Sequence, residues 1–471
     1  MATQILYAVT GIVLARVLSQ EDFGLVGVVL IFQAFASLLI DSGFSYALIQ
    51  RKQPSRLDYS TVLWFNMGIS ILLYTILAVC APFIARCFQN DMRLVPLIRV
   101  MCLSIIVNAS FIVQINRLMK AMDVRMVAVS NSIGLILGGV TGIALALTGA
   151  GAWAIVWQTI VMGAVRSLIL WSTSSWRPMM RFSWARLRSY FGIGSRMMLT
   201  SFLNTLFLNI YSFVIGNRNG LTSLGYYTQS DKWSKMGITS ITQVLTSSFL
   251  PALSAVQDDA ERFEAMVSKI NRFTSYILFP AILGLMLMAA PIFHTLFGTK
   301  WDPSVILFQL LLLRGIFTVL MSLYNNFLLS LGHGGTIVKL EVIRDSLAII
   351  ALAATFPYMG ISRPDNLVRG LEIMLWGQLA ASALTYIISL AYTARYTHVA
   401  VKRFILDMLP YLAQTLLIIP FMSLAAGMAD TPWLKLALEI ITGLGLYIGG
   451  NYIFKSKIQQ GVFSYIRRSQ K

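Results

Sequence analysis

Long apolar stretches alternate with short polar connections along the whole chain, and fourteen of these stretches are long enough to cross a membrane. A hydrocarbon core about 30 Å thick needs roughly 20 residues of helix at a rise of 1.5 Å per residue. The pattern therefore predicts an all-α, polytopic transmembrane bundle of fourteen helices. The predicted segments occupy residues 1–17, 24–50, 60–85, 94–116, 126–148, 152–171, 190–216, 233–256, 273–297, 305–331, 337–358, 371–392, 404–428 and 433–454.

The basic residues collect in every second connection between these segments. Connections after even-numbered segments, together with the C-terminal tail, hold 21 Lys and Arg, whereas 8 lie in or beside those after odd-numbered segments, and the remaining 8 of the 37 lie in or near segments. Lys and Arg resist translocation and accumulate in cytoplasmic loops. We therefore predict that the even-numbered connections and both termini are cytoplasmic.

Composition agrees with a membrane location and explains the charge. Hydrophobic residues make up 57% of the chain, charged residues 12%, and the mean hydropathy is +0.73. A soluble fold could not bury so much apolar surface. The net charge of +18 follows the loop pattern, so we attribute it mostly to membrane topology. The basic loops would also attract anionic lipid head groups to some extent. Nucleic acid is not an expected partner.

Residues that commonly carry enzymatic or metal chemistry are sparse and scattered. The sequence contains no CxxC motif, no histidine cluster and no phosphate-binding loop, because the short sequence GTK at 298–300 lacks the upstream glycine and the following Ser or Thr. We expect no metal and no cofactor. The cysteines and histidines concerned are Cys80, Cys87, Cys102, His294, His333 and His398.

The connections between segments are short, which bears on the class of activity. The longest predicted connections are 172–189, 217–232 and 257–272. A membrane glycosyltransferase or polymerase usually needs a sizeable region outside the membrane to hold a donor or an acceptor, and no connection here has that length. The working residues are therefore expected inside the membrane.

Two similar passages indicate an internal repeat. Ala15 ends the first segment and precedes Gly24 by nine positions, and Gly216 ends the seventh and precedes Gly225 by the same interval. Small residues are common at helix ends, so chance is an alternative explanation. The passages nevertheless fall where two six-helix halves of a transporter would begin. The predicted parts are a first lobe at 1–172, a second lobe at 189–393, two further helices at 403–454 and a cytoplasmic tail at 455–471.

Ionisable and amide side chains within the apolar segments are the candidate substrate-binding residues. Arg314 is the clearest of them, because it lies in the middle of segment ten and needs an anion or a wet cavity there. Further candidates are Arg99, Arg196, Asp41 and Asn325. Arg99, Arg196 and Asp41 are alternatively close enough to an interface to reach it, and hydrogen bonding between helices explains Asn325 equally well.

Segment eleven contains three charged residues within five positions. Glu341, Arg344 and Asp345 are candidates for substrate contact on the same reasoning as Arg314. Their spacing allows a simpler interpretation, in which Arg344 pairs with either carboxylate on its own helix.

Five sequence motifs, in the same order along the chain, resemble those of bacterial polysaccharide flippases of the Wzx/WzxC type. This family belongs to the multidrug/oligosaccharidyl-lipid/polysaccharide exporter superfamily. The resemblance extends over nearly the whole chain, and the family usually has about twenty more residues before the position of Ala2. The motifs are IVLARVLSQEDFGLV at 12–26, ALIQR at 47–51, WRP at 176–178, LGYY at 224–227 and LFGTKW at 296–301.

The resemblance implies a non-enzymatic transporter with MATE-like architecture in the bacterial inner membrane. The implied activity is translocation of an undecaprenyl-diphosphate-linked oligosaccharide by alternating access, for O-antigen, capsule or exopolysaccharide synthesis. The implied partners are this lipid-linked oligosaccharide and membrane lipids, with polysaccharide polymerase and assembly proteins as further candidates.

Three other functions stay open at the level of sequence. A cation-coupled drug or metabolite exporter of the same architecture would need an acidic cavity, but the most isolated intramembrane charge is the basic Arg314. A membrane-embedded glycosyltransferase or polymerase is disfavoured by the short connections. A purely structural membrane subunit would leave the position of Arg314 unexplained.

Overall fold

The computed structural model describes residues 2–41, 44–360 and 368–461. Within these ranges it leaves the side chains of residues 2, 41, 45–47, 191–197, 199–200 and 244–248 undescribed. The described residues form helices joined by short connections, and no strand occurs among them.

The chain divides into two compact units, Met1–Thr228 and Gln229–Lys471. The first unit holds the nine helices α1–α9 and the start of α10. Their bounds are α1 Ala2–Val17, α2 Gln20–Asp41, α3 Phe44–Gln50, α4 Arg56–Cys87, α5 Leu94–Met101, α6 Leu103–Lys120, α7 Val124–Leu147, α8 Trp153–Thr173, α9 Trp184–Asn219 and α10 Leu221–Ser254.

The second unit holds the rest of α10 and seven further helices. Two short 3-10 turns, Thr299–Trp301 and Phe356–Tyr358, lie within it. The helices are α11 Ala260–Leu287, α12 Ala289–Leu296, α13 Asp302–Ser330, α14 Gly334–Thr355, α15 Arg369–Thr397, α16 Val401–Gly427 and α17 Pro432–Ile453.

All fourteen predicted segments are helical where the structure describes them, and two of them are interrupted there. Segment four consists of α5 and α6, and segment nine of α11 and α12, while segment two includes residues 42 and 43, which lie outside the described residues. Pro291 explains the last interruption, because it cannot donate a backbone hydrogen bond to the end of α11. Ten of the described helical spans are long and apolar enough to cross a membrane, while α1 is shorter and α9, α10 and α14 are not among the ten.

Two of the three long connections predicted from the sequence are wrong. Gly220, at φ +86°, is the single residue between α9 and α10, and α11 begins at Ala260. The helices extend beyond the apolar segments because their polar ends are capped, as where the Asp259 side chain accepts from the Arg262 amide at 3.1 Å. The structure therefore has shorter non-helical connections than the sequence indicated.

Helix packing in the first unit depends on close backbone approach. Three glycines at intervals of four residues, Gly134, Gly138 and Gly142, place one face of α7 against α8. A Cβ atom on Gly138 would lie 2.7 Å from the Gln158 carbonyl oxygen. Small residues are typical of membrane-helix interfaces, because lipid supplies no hydrophobic force between helices and close packing must do so instead.

The second unit is held by aromatic packing and by the α13–α15 and α11–α16 contacts. Tyr324 lies between Tyr386 and Phe404, with ring centroids 5.8 Å and 5.4 Å apart. The α16–α17 pair is fastened to α11 by the Tyr447 hydroxyl, which donates to the Tyr276 carbonyl at 2.9 Å.

Candidate functional site

Arg314 lies near the middle of α13, a helix of 29 residues, and its guanidinium is held by one buried amide. Its Nη1 donates to Oε1 of Gln378 on α15 at 2.7 Å. Gln378 is 3% exposed, and its Nε2 has no hydrogen-bond partner in the described structure. The Gln378 amide accepts this hydrogen bond through its oxygen and carries no charge. Gln378 therefore orients the Arg314 guanidinium without neutralising it.

The charge of Arg314 has no acidic counterpart in the described part of the chain. The side chain is half-buried, and no described carboxylate lies within ion-pair distance of it. A guanidinium has five N–H donors in a planar fork that matches phosphate oxygens. Gln378 occupies one of these donors, and the others can donate to an anion.

Local packing explains why α13 presents this arginine in a defined orientation. The preceding residues Leu310–Leu312 are buried, and Gly315 allows close approach of Ile238, which would lie 2.3 Å from an added Cβ atom. Both neighbours restrict rotation of the helix about its axis. Preorganisation of this kind lowers the ordering cost of binding.

Asn325 lies on the same helix as Arg314 but contacts a different partner. Its amide is 3.5 Å from Oε1 of Glu341 on α14, and eleven residues of helix, about 16 Å, separate it from Arg314. The structure therefore does not bring these two predicted site residues together in one cluster.

Three of the charged residues of α14, Glu341, Arg344 and Asp345, form one network of ion pairs. Arg344 is 2.5 Å from Glu341 and 2.8 Å from Asp345, so its charge is balanced within its own helix. The simpler interpretation of Arg344 is the one observed. This pairing distinguishes Arg344 from Arg314, which has no carboxylate within ion-pair distance among the described residues.

The candidates of the first unit are less well placed or lie outside the described residues. Arg99, on α5, is exposed, and its Nε lies 3.3 Å from the Ala78 carbonyl oxygen. The side chains of Asp41 and Arg196 fall outside the described residues, although their helices, α2 and α9, are described. Substrate contact by these three residues stays a prediction.

Two ionisable residues in the apolar segments were overlooked as candidates. Arg166 on α8 stacks over the Phe111 ring at 4.9 Å, and its buried Nε has no described hydrogen-bond partner. Glu439 on α17 is 4% exposed, with Oε2 likewise without a described partner. Both lie several residues inside predicted segments, so the search for intramembrane charge that found Arg314 could have found them.

The described side chains offer no place for a metal. No group of three or more His, Cys, Asp or Glu residues is arranged to hold an ion in residues 2–41, 44–360 and 368–461. The sequence-based expectation of no cofactor stays a prediction.

The family model described as polysaccharide biosynthesis protein matches residues 13–306. Two similar relatives are the lipopolysaccharide biosynthesis protein WzxC of Escherichia coli K12 and the succinoglycan biosynthesis transport protein ExoT of Rhizobium meliloti. WzxC is 26% identical over 72% of this chain and 69% of its own length. ExoT is 27% identical over 78% of this chain and 72% of its own length.

Solved structures of the same fold cover most of the chain. The lipid II flippase MurJ, in an inward closed conformation, has a TM-score of 0.73 at 14% identity, covering 96% of both chains. An inward-facing MATE family transporter of the MOP superfamily has a TM-score of 0.63 at 16% identity, covering 85% of this chain and 97% of that one. The predicted all-α, MOP-type membrane fold is confirmed. With the family model matching well over half of its residues, this chain belongs to the polysaccharide biosynthesis protein family, and the predicted resemblance to the Wzx/WzxC type is confirmed.

Proposed function

We propose that this chain is a flippase that moves an undecaprenyl-diphosphate-linked oligosaccharide from the cytoplasmic to the outer leaflet of a bacterial inner membrane by alternating access. The family membership and the similarity to WzxC, a lipopolysaccharide biosynthesis protein, and ExoT, a succinoglycan biosynthesis transport protein, support a role in surface polysaccharide synthesis. The observation that supports binding of the diphosphate is Arg314, a half-buried arginine within an apolar segment that is oriented by Gln378.

The cargo explains what such a residue would do. A diphosphate with attached sugars loses its hydration on leaving water, and this loss is prohibitive unless protein groups replace the lost hydrogen bonds. Arg314 would donate hydrogen bonds to two phosphate oxygens through its remaining N–H groups. The polyprenyl chain needs no protein cavity, because it is soluble in the surrounding lipid.

The membrane potential supplies a direction for transport. With the cell interior negative, outward movement of each uncompensated negative charge is favoured by about 2.3 kcal/mol per 100 mV. The proposed mechanism needs no covalent step. We accordingly propose a transporter without enzymatic activity and with cytoplasmic termini, an orientation supported by the loop charges.

Reconstitution into proteoliposomes tests the proposal. Fluorescent lipid-linked oligosaccharide should become accessible on the opposite leaflet in the presence of the wild-type protein, and Arg314→Ala should slow this flipping about ten-fold or more, because hydrogen bonds to charged groups contribute about 1.5–3 kcal/mol. Arg314→Lys should retain more activity than the alanine variant. Arg262→Ala is the matched control, since Arg262 is exposed and its one ion pair among the described residues is with the partly exposed Asp259.

Two results would contradict the proposal. Flipping at the wild-type rate in Arg314→Ala, with normal insertion, would remove Arg314 from cargo binding. Uptake of cationic dyes with no flipping of the lipid-linked oligosaccharide would favour a cation-coupled exporter, and sugar transfer by the purified protein would favour a glycosyltransferase.

A further inference from the structure

The backbone of the connection between α8 and α9 is hydrogen-bonded to side chains in the first turns of α4. The Trp64 indole donates to the Met179 carbonyl at 2.8 Å, and the Met179 amide donates to the Ser60 hydroxyl at 2.9 Å. Arg56 donates to the Arg177 carbonyl at 3.0 Å. These hydrogen bonds fix the backbone of this connection, in which Trp176 is buried and Met180, Arg181 and Phe182 are exposed.

Three large apolar side chains of this region are exposed. Met180 is 87% exposed, Phe182 47% and Trp184 68%, and the rings of Phe182 and Trp184 are 6.1 Å apart. Other residues of the same stretch, Leu187 and Tyr190, are buried in a core cluster. The chain thus buries one set of apolar residues and leaves a second, contiguous set uncovered.

Arginines alternate with these apolar residues. Arg181 and Arg188 are exposed and have no partner in the described structure, and Arg188 follows Trp184 by one helical turn on α9. Arg186 behaves differently, because it points inward and contacts the buried carboxylate of Asp58 at 2.9 Å. The outward face therefore combines uncompensated positive charge with aromatic and thioether side chains.

The position of this face along α4 is at a membrane boundary. α4 contains 32 residues and is about 48 Å long, well beyond the roughly 30 Å of hydrocarbon. Residues 56–64, to which the connection is bound, are the first turns of that helix. They and the attached connection therefore lie at the level of the lipid head groups.

We propose that residues 177–188 form a docking surface for anionic phospholipid head groups. Arg181 and Arg188 contact lipid phosphates, while Met180, Phe182 and Trp184 enter the region just below them. Aromatic residues favour this depth because one part of the ring system is apolar and another is wet. A soluble phosphate or a nucleic acid would match the arginines but would leave the exposed methionine in water. The inference does not depend on the proposed cargo.

A fluorescent reporter near Trp184 tests the contact without any transport assay. Bimane is attached to Ala185→Cys, an exposed position, in a variant whose three native cysteines are replaced by serine. In nanodiscs of phosphatidylcholine with phosphatidylglycerol, we expect strong quenching by head-group nitroxide lipids and weak quenching by aqueous iodide. The same label at Gln53→Cys, an exposed loop position, gives the reference value of iodide quenching for a water-exposed site.

Charge removal then separates a lipid contact from simple proximity to the membrane. Arg181→Gln/Arg188→Gln should raise iodide quenching about two-fold or more, because each surface arginine contributes about 1 kcal/mol of attraction to anionic lipid. Lys52→Gln/Lys402→Gln, which removes two other exposed charges, should leave it unchanged. Phe182→Ser/Trp184→Ser should raise it as well.

Three outcomes would overturn the inference. One is iodide quenching at Ala185→Cys equal to that at Gln53→Cys. Another is an equal response to the two double glutamine substitutions. The third is protection by inorganic phosphate in nanodiscs of pure phosphatidylcholine, which would indicate a soluble anion instead of a lipid surface.

Discussion

Gly24 and Gly225 are equivalent residues on two helices whose backbones touch. Each is the fifth residue of its helix, α2 or α10, and each faces the first residue of the other helix. A Cβ atom added to Gly24 would lie 1.9 Å from the Leu221 carbonyl oxygen, and one added to Gly225 would lie 1.9 Å from the Gln20 carbonyl oxygen. The contact is reciprocal, as expected for two copies of one structural motif related by approximate twofold symmetry.

This contact supports the internal repeat predicted from Ala15, Gly24, Gly216 and Gly225. The matching interval of nine residues places the two glycines at the same helical position, and the structure pairs those positions. The assignment of helices to two six-helix lobes stays a prediction. The seventh predicted segment, α9, belongs to the compact unit Met1–Thr228 together with the first six.

Alanine at Gly24 or Gly225 should force α2 and α10 apart at their first turns. We expect each substitution to lower the free energy of unfolding by about 1–3 kcal/mol, the range for overpacking a close contact. Dodecyl sulfate titration in mixed micelles, followed by circular dichroism, measures this change. Gly68→Ala is the control, because no atom lies within 4 Å of its added Cβ and alanine favours a helix there. Equal stability of Gly24→Ala and Gly68→Ala would contradict the close contact.

Asp58→Asn should destabilise the first unit. The carboxylate is 1% exposed, lies 2.9 Å from Arg186 and caps α4 together with Ser55. An asparagine keeps the cap but leaves the neighbouring arginine uncompensated, so we expect a loss of about 1–3 kcal/mol in the same titration. Asp22→Asn is the matched control, since Asp22 forms a similar cap with Ser19 but no described ion pair. An effect no larger than that of Asp22→Asn would argue against the ion pair as the stabilising contact.

Gln378→Leu should impair flipping less than Arg314→Ala does. Leucine removes the amide that orients the Arg314 Nη1 atom but keeps the arginine charge and a similar side-chain volume. We expect a reduction of about three- to ten-fold, because a hydrogen bond to a charged group is lost while contact with an anion persists. Flipping rates across a series of cargo concentrations measure it. If Gln378 positions Arg314, then Gln378→Leu added to Arg314→Ala should cause no further loss, whereas an additive loss would show independent roles.

Asp407→Asn should weaken the contact between α11 and α16. Asp407 accepts from Ser268 and pairs with Arg272 at 3.1 Å, and its side chain is 11% exposed. A loss of about 1–2 kcal/mol in unfolding free energy is expected. A second pair between the same helices, Arg403 and Glu264, is 3.6 Å apart and more exposed. Glu264→Gln should therefore cost less than about 1 kcal/mol, and a larger loss there than in Asp407→Asn would invert the expected order.

Sequence reasoning recovered the membrane segments because each is a property of consecutive residues. It identified Arg314 for the same reason, since an arginine inside a run of leucines is visible without a structure. It failed at helix ends: the polar residues 217–232 were predicted to be a loop, but all of them except Gly220, at φ +86°, lie in α9 or α10. Polarity marks the edge of the hydrocarbon, and a helix need not stop there.

The residues that decide how Arg314 and Asp58 behave come from distant parts of the chain. Gln378 is 64 positions from Arg314, and Arg186 is 128 positions from Asp58. No local pattern links such pairs, because pairing across helices depends on which faces meet and at what height.

The sequence by itself therefore determined the all-helical membrane architecture, the charge asymmetry of the connections, the family and the presence of an arginine inside an apolar segment. All of these follow from composition and order along the chain, because the bilayer imposes one length and one polarity on every crossing. Only the tertiary structure decided that Arg344 is neutralised while Arg314 is oriented by a buried amide, and that Gly24 and Gly225 meet. Those outcomes depend on side chains that packing brings within a few ångströms of each other. Hydrogen bonds and steric contacts act at that range, however far apart the residues are in the sequence.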